Sequence, residues 1–174
     1  MHAGDILNKR ASLTHNRTAL IELPAGKTYT YGELNARANR LANFLRHRLD
    51  IKKGDRICIL AHNCAVYVEL FYGAGKTGAV LVPLNWRLTP CELSYIINHC
   101  KPVAIFCGPE FAHVLSEIRP EIHIEHFVSL EGAAIDDAIS YEKEAARASE
   151  TEPTRPFLTD EDPYCILCVF SASL

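Results

Sequence analysis

No stretch of this 174-residue sequence approaches the roughly 20 consecutive apolar residues of a membrane helix, so no span of that kind is expected. The amino-terminal MHAGDILNKRASLTHNR interrupts its apolar residues with Asp5, Lys9 and Arg10 and lacks the apolar stretch of a secretory signal. A cytoplasmic location is the resulting expectation. Complete metal-ligand motifs are missing too. Cys165 and Cys168 have the spacing of half a zinc site, but no second CxxC or HxxxH completes it. Residues three apart in a strand also point to opposite faces, so packing explains this pair better than ligation. His62 with Cys64, and His99 with Cys100, fit helix ends better than ligand sets. None of the eight histidines lies four residues from another around a carboxylate, and no G-x-S-x-G nucleophile elbow occurs. The seven cysteines are an odd number and mostly sit in apolar runs, which fits reduced thiols rather than a disulfide framework.

What is present is the composition of a globular chain, with 48% hydrophobic and 22% charged residues. The length allows a buried core without disulfides or metal. The net charge of −3 is unevenly spread, since residues 1–60 carry 11 Lys/Arg against 5 Asp/Glu. That basic half does not imply a nucleic-acid partner. On a helix from Tyr31, Leu34, Ala38, Leu41, Ala42, Leu45 and Leu49 form one apolar face. Arg37, Arg40, Arg46 and Arg48 flank it, where their stems cover apolar surface and their charges stay wet.

The pattern alternates strands and helices. Thr30 and Glu33 form a capping box that starts a helix running to about Leu49. RICILA at 56–61 is strand-length and apolar. A helix N-capped by Asn63 follows, apolar nearly all round from 64 to 74 and therefore buried. AVLVP at 79–83 is a second buried strand. Thr89, Pro90 and Glu92 make a second capping box, with proline at the helical position where its missing N–H costs nothing. A strand at 103–107, a helix at 109–118 and a strand at 126–130 complete the alternation. Continuous apolar strands between helices predict an α/β fold: a parallel sheet, mixed at its edge, with helices on both faces.

Between Asp136 and Asp162 the sequence changes character. A short charged helix, YEKEAARA, leads into SETEPTRPFLTDEDP, and residues 150–162 hold five acids and one arginine, as in a solvated crossing. Residues 163–170 then read as another strand. GAGKTG at 73–78 matches G-x-G-x-x-G, but it follows a helix and precedes a strand, which is the wrong polarity for a phosphate-binding turn. Its glycines read as a helix C-terminus.

Four stretches, LNKRASLTHNRTALIE, TYTYGELNARANRLANFLR, the run from Ile51 to Phe106, and DEDPYCIL, together resemble the N-terminal portion of the AMP-forming acyl-CoA synthetases and their adenylating relatives. The most specific part is KTGAVLVPLNWRLTPCELSYI at 76–96, which is similar to acyl- and aryl-CoA ligases more than to peptide-synthetase domains. The resemblance implies an N-terminal subdomain of the adenylate-forming fold and a reaction of carboxylic acid, ATP and CoA, with magnesium, giving acyl-CoA, AMP and pyrophosphate. It also implies that the catalytic groups lie further along the family's sequence, so no catalytic, cofactor-binding or metal residue is assigned here. After DPYCIL the family reads a glycine-rich phosphate loop, with glycines expected at 171 and 174, where this chain has Ser171 and Leu174.

The resulting expectation is a truncated ligase, inactive alone and needing no cofactor of its own. Residues 1–135 form the α/β subdomain, 136–162 the charged helix and proline-rich crossing, and 163–174 the start of a next strand. The surface left exposed by truncation is expected to favour self-association. Three alternatives stay open: a non-catalytic interaction module, a small flavodoxin-like nucleotide binder, and half of a split ligase.

Overall fold

A computed structural model describes residues 3–23 and 26–168. Helix α1 (Ala3–Thr14) leads into an antiparallel hairpin of β1 (Thr18–Glu22) and β2 (Lys27–Thr30). There follow α2 (Tyr31–His47), β3 (Arg56–Leu60), α3 (Ala65–Thr77), β4 (Val80–Pro83), α4 (Pro90–Cys100) and β5 (Ala104–Cys107). A 3-10 turn (Pro109–Phe111), α5 (Ala112–Ile118), a second 3-10 turn (Arg119–Glu121), β6 (His126–Ser129), β7 (Ile139–Ser140) and α6 (Tyr141–Arg147) complete the described elements.

The main sheet has the order β4-β3-β5-β6-β7, and all four pairings are parallel. The antiparallel pairing expected at the sheet edge is found instead in the separate β1–β2 hairpin. Strand alternation sorts the core into two layers. Ile57, Ile59, Leu81, Ala104, Phe106 and Val128 face Leu41, Phe44 and Leu45 of α2, Leu70 and Ala74 of α3, and Tyr141 of α6. Cys58, Leu60, Val82, Ile105 and Cys107 face Leu93, Ile96 and Ile97 of α4 and Leu115 of α5. Helices therefore cover both faces, as the near-continuous apolar strands require.

Both capping boxes form. The Thr30 N–H donates to Glu33 Oε2 at 2.8 Å and the Glu33 N–H to Thr30 Oγ1 at 3.2 Å. Thr89 and Glu92 repeat the arrangement at 2.8 and 3.4 Å. These bonds from backbone and hydroxyl hold both glutamates below their ordinary pKa. Because the folded-state values are depressed, the caps stabilise above the unfolded pKa and are lost as pH falls through the folded one. NMR titration is expected to place both midpoints below the roughly 4.3 of an unstructured glutamate, with helical shifts at the α2 and α4 N-termini weakening in step.

Several boundaries move from their expected places. Helix α3 is capped by Cys64, not Asn63, and Cys64 makes no side-chain capping bond. The helix expected at 109–118 splits into the 3-10 turn and α5, because Phe111 leaves helical geometry (φ −111, ψ 4). Of the strand expected at 163–170, the described part pairs at one bridge, Cys165 against Leu81, parallel to β4. Residues 169–174, including Ser171 and Leu174, lie outside the described residues.

The G-x-G-x-x-G stretch closes α3. Gly78 takes the left-handed C-cap (φ 76) and donates its N–H to Ala74 O. Gly73 lies where α2 crosses, since a Cβ there would meet Leu41 Cδ2 at 2.8 Å. Both glycines serve chain geometry and helix packing, which disposes of the phosphate-loop likeness.

Candidate functional site

Strand order reverses direction at β3: β4 lies on one side of it and β5 on the other. In an open parallel sheet such a switch point leaves a crevice beyond the carboxyl ends of the strands, where ligands characteristically bind. A cavity of about 430 Å³ occupies that place. Its floor comes from the residues that follow β3, β5 and β6: Ala61–Asn63, Gly108–Glu110, and Leu130 with Glu131. One wall is the first turns of α3, with Cys64, Ala65, Val66 and Glu69; another is α6 with Tyr141 and Glu142. The hairpin and α2 close it with Glu22, Lys27, Tyr29, Arg37 and Arg40.

At its base lies a buried polar network. Glu69 is fully buried, and its Oε1 accepts from Arg37 Nε at 2.6 Å while its Oε2 accepts from the Tyr141 hydroxyl. The guanidinium of Arg37 also lies over the Tyr29 ring. Half-burial pushes the Arg37 guanidinium down, and the Glu69 carboxylate more than restores it, leaving it above its ordinary value. Burial, and then the Glu69 charge, push the Tyr141 phenol well up, so it stays a neutral donor. The remaining carboxylates are largely engaged within the protein. Glu22 accepts from the Ala65 N–H at 2.8 Å, occupying the α3 N-terminus, and Glu142 accepts from the Glu131 N–H at 2.8 Å. Beside the floor, the His62 ring stacks edge-on against Trp86 and Phe111, at 4.7 and 5.0 Å between centroids.

The residues singled out in the sequence do not gather into a reacting constellation. His62 and Cys64 line the cavity, whereas His99 lies on α4, where its ring stacks on Tyr95. Cys165 and Cys168 part as opposite faces require: Cys165 sits at the bridge to Leu81, and Cys168 packs into the α4 layer. Among the described residues no group of three or more His, Cys, Asp or Glu could hold a metal ion. The α2 arginines are less wet than their stripe implied. Arg37 binds Glu69, Arg40 binds Glu150, Arg46 donates to Thr154 O, and Arg48 pairs with Glu144 at 3.5 Å.

Two of these pairings, Arg40 with Glu150 and Arg46 with Thr154, belong to a feature the sequence did not announce. After α6 the chain runs as an extended belt across α2 and α3. Asn39 donates to Glu150 O, and Asn43 to Ser149 O and Thr151 O, at 2.8 to 3.0 Å. Lys76, fully buried, donates to both Glu152 oxygens at 2.8 Å and to Asn35 Oδ1 at 3.1 Å. Burial pushes the Lys76 ammonium down and Glu152 pulls it back. The lysine that made GKT look like a phosphate loop is thus the belt's buried anchor. Lys53 ties the belt's far end through Asp162 at 2.8 Å, and Tyr164 donates its hydroxyl to Phe71 O. So guided, the chain reaches the free edge of β4, where Leu81 N–H donates to Tyr164 O (3.1 Å) and Ile166 N–H to Leu81 O (2.9 Å).

A family model described as AMP-binding enzyme matches residues 7–168. The long-chain-fatty-acid–CoA ligase FadD13 of Mycobacterium tuberculosis is 38% identical over 118 residues, covering 68% of this chain and 23% of that protein. A long-chain-fatty-acid–CoA ligase of Thermus thermophilus is 32% identical over 154 residues, 87% of this chain and 28% of that one. This chain therefore spans under a third of the length of these curated relatives. Among solved structures, the N-terminal domain of FACL13 from Mycobacterium tuberculosis superposes with a TM-score of 0.85 at 30% identity, over 95% of this chain and 41% of that one. The anthranilate CoA ligase AuaEII in complex with anthranoyl-AMP gives 0.88 at 25% identity, over 95% and 31%.

Proposed function

Since the chain belongs to the AMP-binding enzyme family, we propose that it is the N-terminal α/β unit of an AMP-forming acyl-CoA ligase and does not catalyse alone. The observation that carries this reading is the family match across 7–168, joined to relatives that are acyl-CoA ligases over the same region. The whole ligase would join a carboxylic acid to coenzyme A, turning ATP into AMP and pyrophosphate. This chain supplies the sheet and the crevice at its switch point. The described residues do not fit a magnesium ion, because they offer no suitable ligand cluster and the Glu22, Glu69 and Glu142 carboxylates already hold internal partners. No step is therefore assigned to a metal on this chain.

The purified 174-residue chain, given ATP, CoA and a panel of carboxylic acids, is expected to release no pyrophosphate and to form no acyl-CoA by mass spectrometry. Turnover by the chain alone would overturn its proposed inactivity. A chimera in which it replaces the matching segment of FadD13 is expected to recover thioester formation. A chimera that folds yet neither binds ATP nor forms thioester would sink the ligase reading. A second reading, an interaction module that self-associates, draws support from exposed apolar side chains around the belt, Phe157 at 85% and Leu167 at 74% exposure. A discrete oligomer on size-exclusion chromatography, abolished by Phe157→Ser, would favour it.

A further inference from the structure

We propose that Cys100 and Cys168 form a redox-active thiol pair, converted to an intramolecular disulfide by a low-molecular-weight disulfide such as oxidised glutathione. The two sulfurs lie 3.6 Å apart. Closing to the roughly 2.05 Å of a disulfide takes a small side-chain movement. Cys100 is held in place: it is the last residue of α4, Lys101 after it takes the left-handed cap and donates its N–H to Ile97 O, and Arg56 donates to the Cys100 carbonyl at 2.6 Å. Cys168 follows the segment paired to Leu81 and is only partly buried, so an oxidant in solution can reach it.

These positions divide the roles. Burial pushes the Cys100 thiol up to about 11, the neighbouring Cys168 adds to this, and the Arg56 charge opposes it. Cys168 is the more accessible of the two, so it is the first to react and the buried Cys100 is the resolving thiol. The Cys168 thiolate attacks one sulfur of glutathione disulfide and expels a glutathione thiolate. Cys100 Sγ then attacks Cys168 Sγ in the mixed disulfide, loses its proton, and expels the second glutathione. One disulfide bond breaks as one forms; two cysteine hydrogens end on two glutathione thiols. The other cysteines are placed differently: Cys58 and Cys107 are fully buried, Cys64 lines the cavity, Cys91 is exposed on α4, and Cys165 sits at the β4 bridge. The product ties the strand segment beyond the belt to the end of α4, a covalent lock where the reduced protein holds that segment through Leu81 and Tyr164.

The test treats the full chain with oxidised glutathione at neutral pH, alkylates the remaining thiols, and reads intact mass and non-reducing peptide maps by tandem mass spectrometry. The expected product has lost two hydrogen masses, carries a Cys100–Cys168 bond and regains free thiols with dithiothreitol. The bond should persist in Cys91→Ser and Cys165→Ser and vanish in Cys168→Ser, which instead retains no cross-link. Thermal melts of the wild-type chain should show a higher Tm after oxidation than before, with no such rise in Cys168→Ser. Separate alkylation of Cys100 and Cys168 under conditions that glutathionylate Cys91 would overturn the proposal, and so would a Cys165–Cys168 bond in their place.

Discussion

Arg37→Met is expected to lower the unfolding free energy by about 3 kcal/mol in urea titrations, near the lower end of the range for stripping a buried ion pair of one partner. Glu69 exposes none of its side chain, whereas that of Arg37 is 35% exposed. Removing the guanidinium leaves a carboxylate that water does not reach, with one remaining donor in the Tyr141 hydroxyl. Desolvation of the orphaned charge dominates this loss, and the value of the contact itself is the smaller part. The double variant Arg37→Met with Glu69→Met is accordingly expected to recover most of the loss, because the charge that suffered has gone. A single-variant cost within about 0.5 kcal/mol, as for an ordinary surface change, would show that water solvates Glu69 and that the cavity base is open.

Phe106→Ala should cost about 4 kcal/mol, the larger effect of the two. Phe106 is fully buried on β5, the middle strand of the main sheet. Its ring meets Phe44 of α2 edge-on at 6.4 Å and Tyr141 of α6 at 5.9 Å. Truncation removes a large transfer contribution and leaves a cavity between the sheet and helices α2 and α6, which relax into it only in part. The denaturation midpoint should fall with the m-value unchanged, and Phe106→Leu should recover more than half of the loss. Phe157→Ala, at a side chain 85% exposed, is the control and should stay within about 0.5 kcal/mol of wild type. A loss below about 1 kcal/mol for Phe106→Ala would contradict its central packing.

What could be read from the sequence was what neighbours along the chain decide. Two capping boxes, the buried helix, and the strands near 56, 80, 104 and 126 depend on residues within a few positions of one another, and all of them form. Helix α1 and the β1–β2 hairpin went unread, because β1 is never fully buried and so carries little periodic signal. The cavity network joins residues from three helices, 32 and 72 positions apart. One clue was on the page: Glu69 is the single charge in an otherwise apolar run from 64 to 74, and such a residue asks for a partner. The crossing looked solvated because its composition is acidic. Three of its five acids, Glu150, Glu152 and Asp162, pair with Arg40, Lys76 and Lys53, partners 76 to 110 positions away that no local pattern reveals.

The belt also fixes an order of events. It lies C-terminal to every strand of the main sheet, while most of its anchors sit on α2 and α3, made some hundred residues earlier. During synthesis from the amino end, β3 through β6 can pair and be roofed by their helices before Ser149 leaves the ribosome. The late segment then meets a finished template, with Lys76 and the α2 asparagines already in position. Joining a strand to β4 across more than eighty intervening residues becomes a zippering along prepared contacts in place of a blind search, and the entropy of that long closure is spread over many small steps.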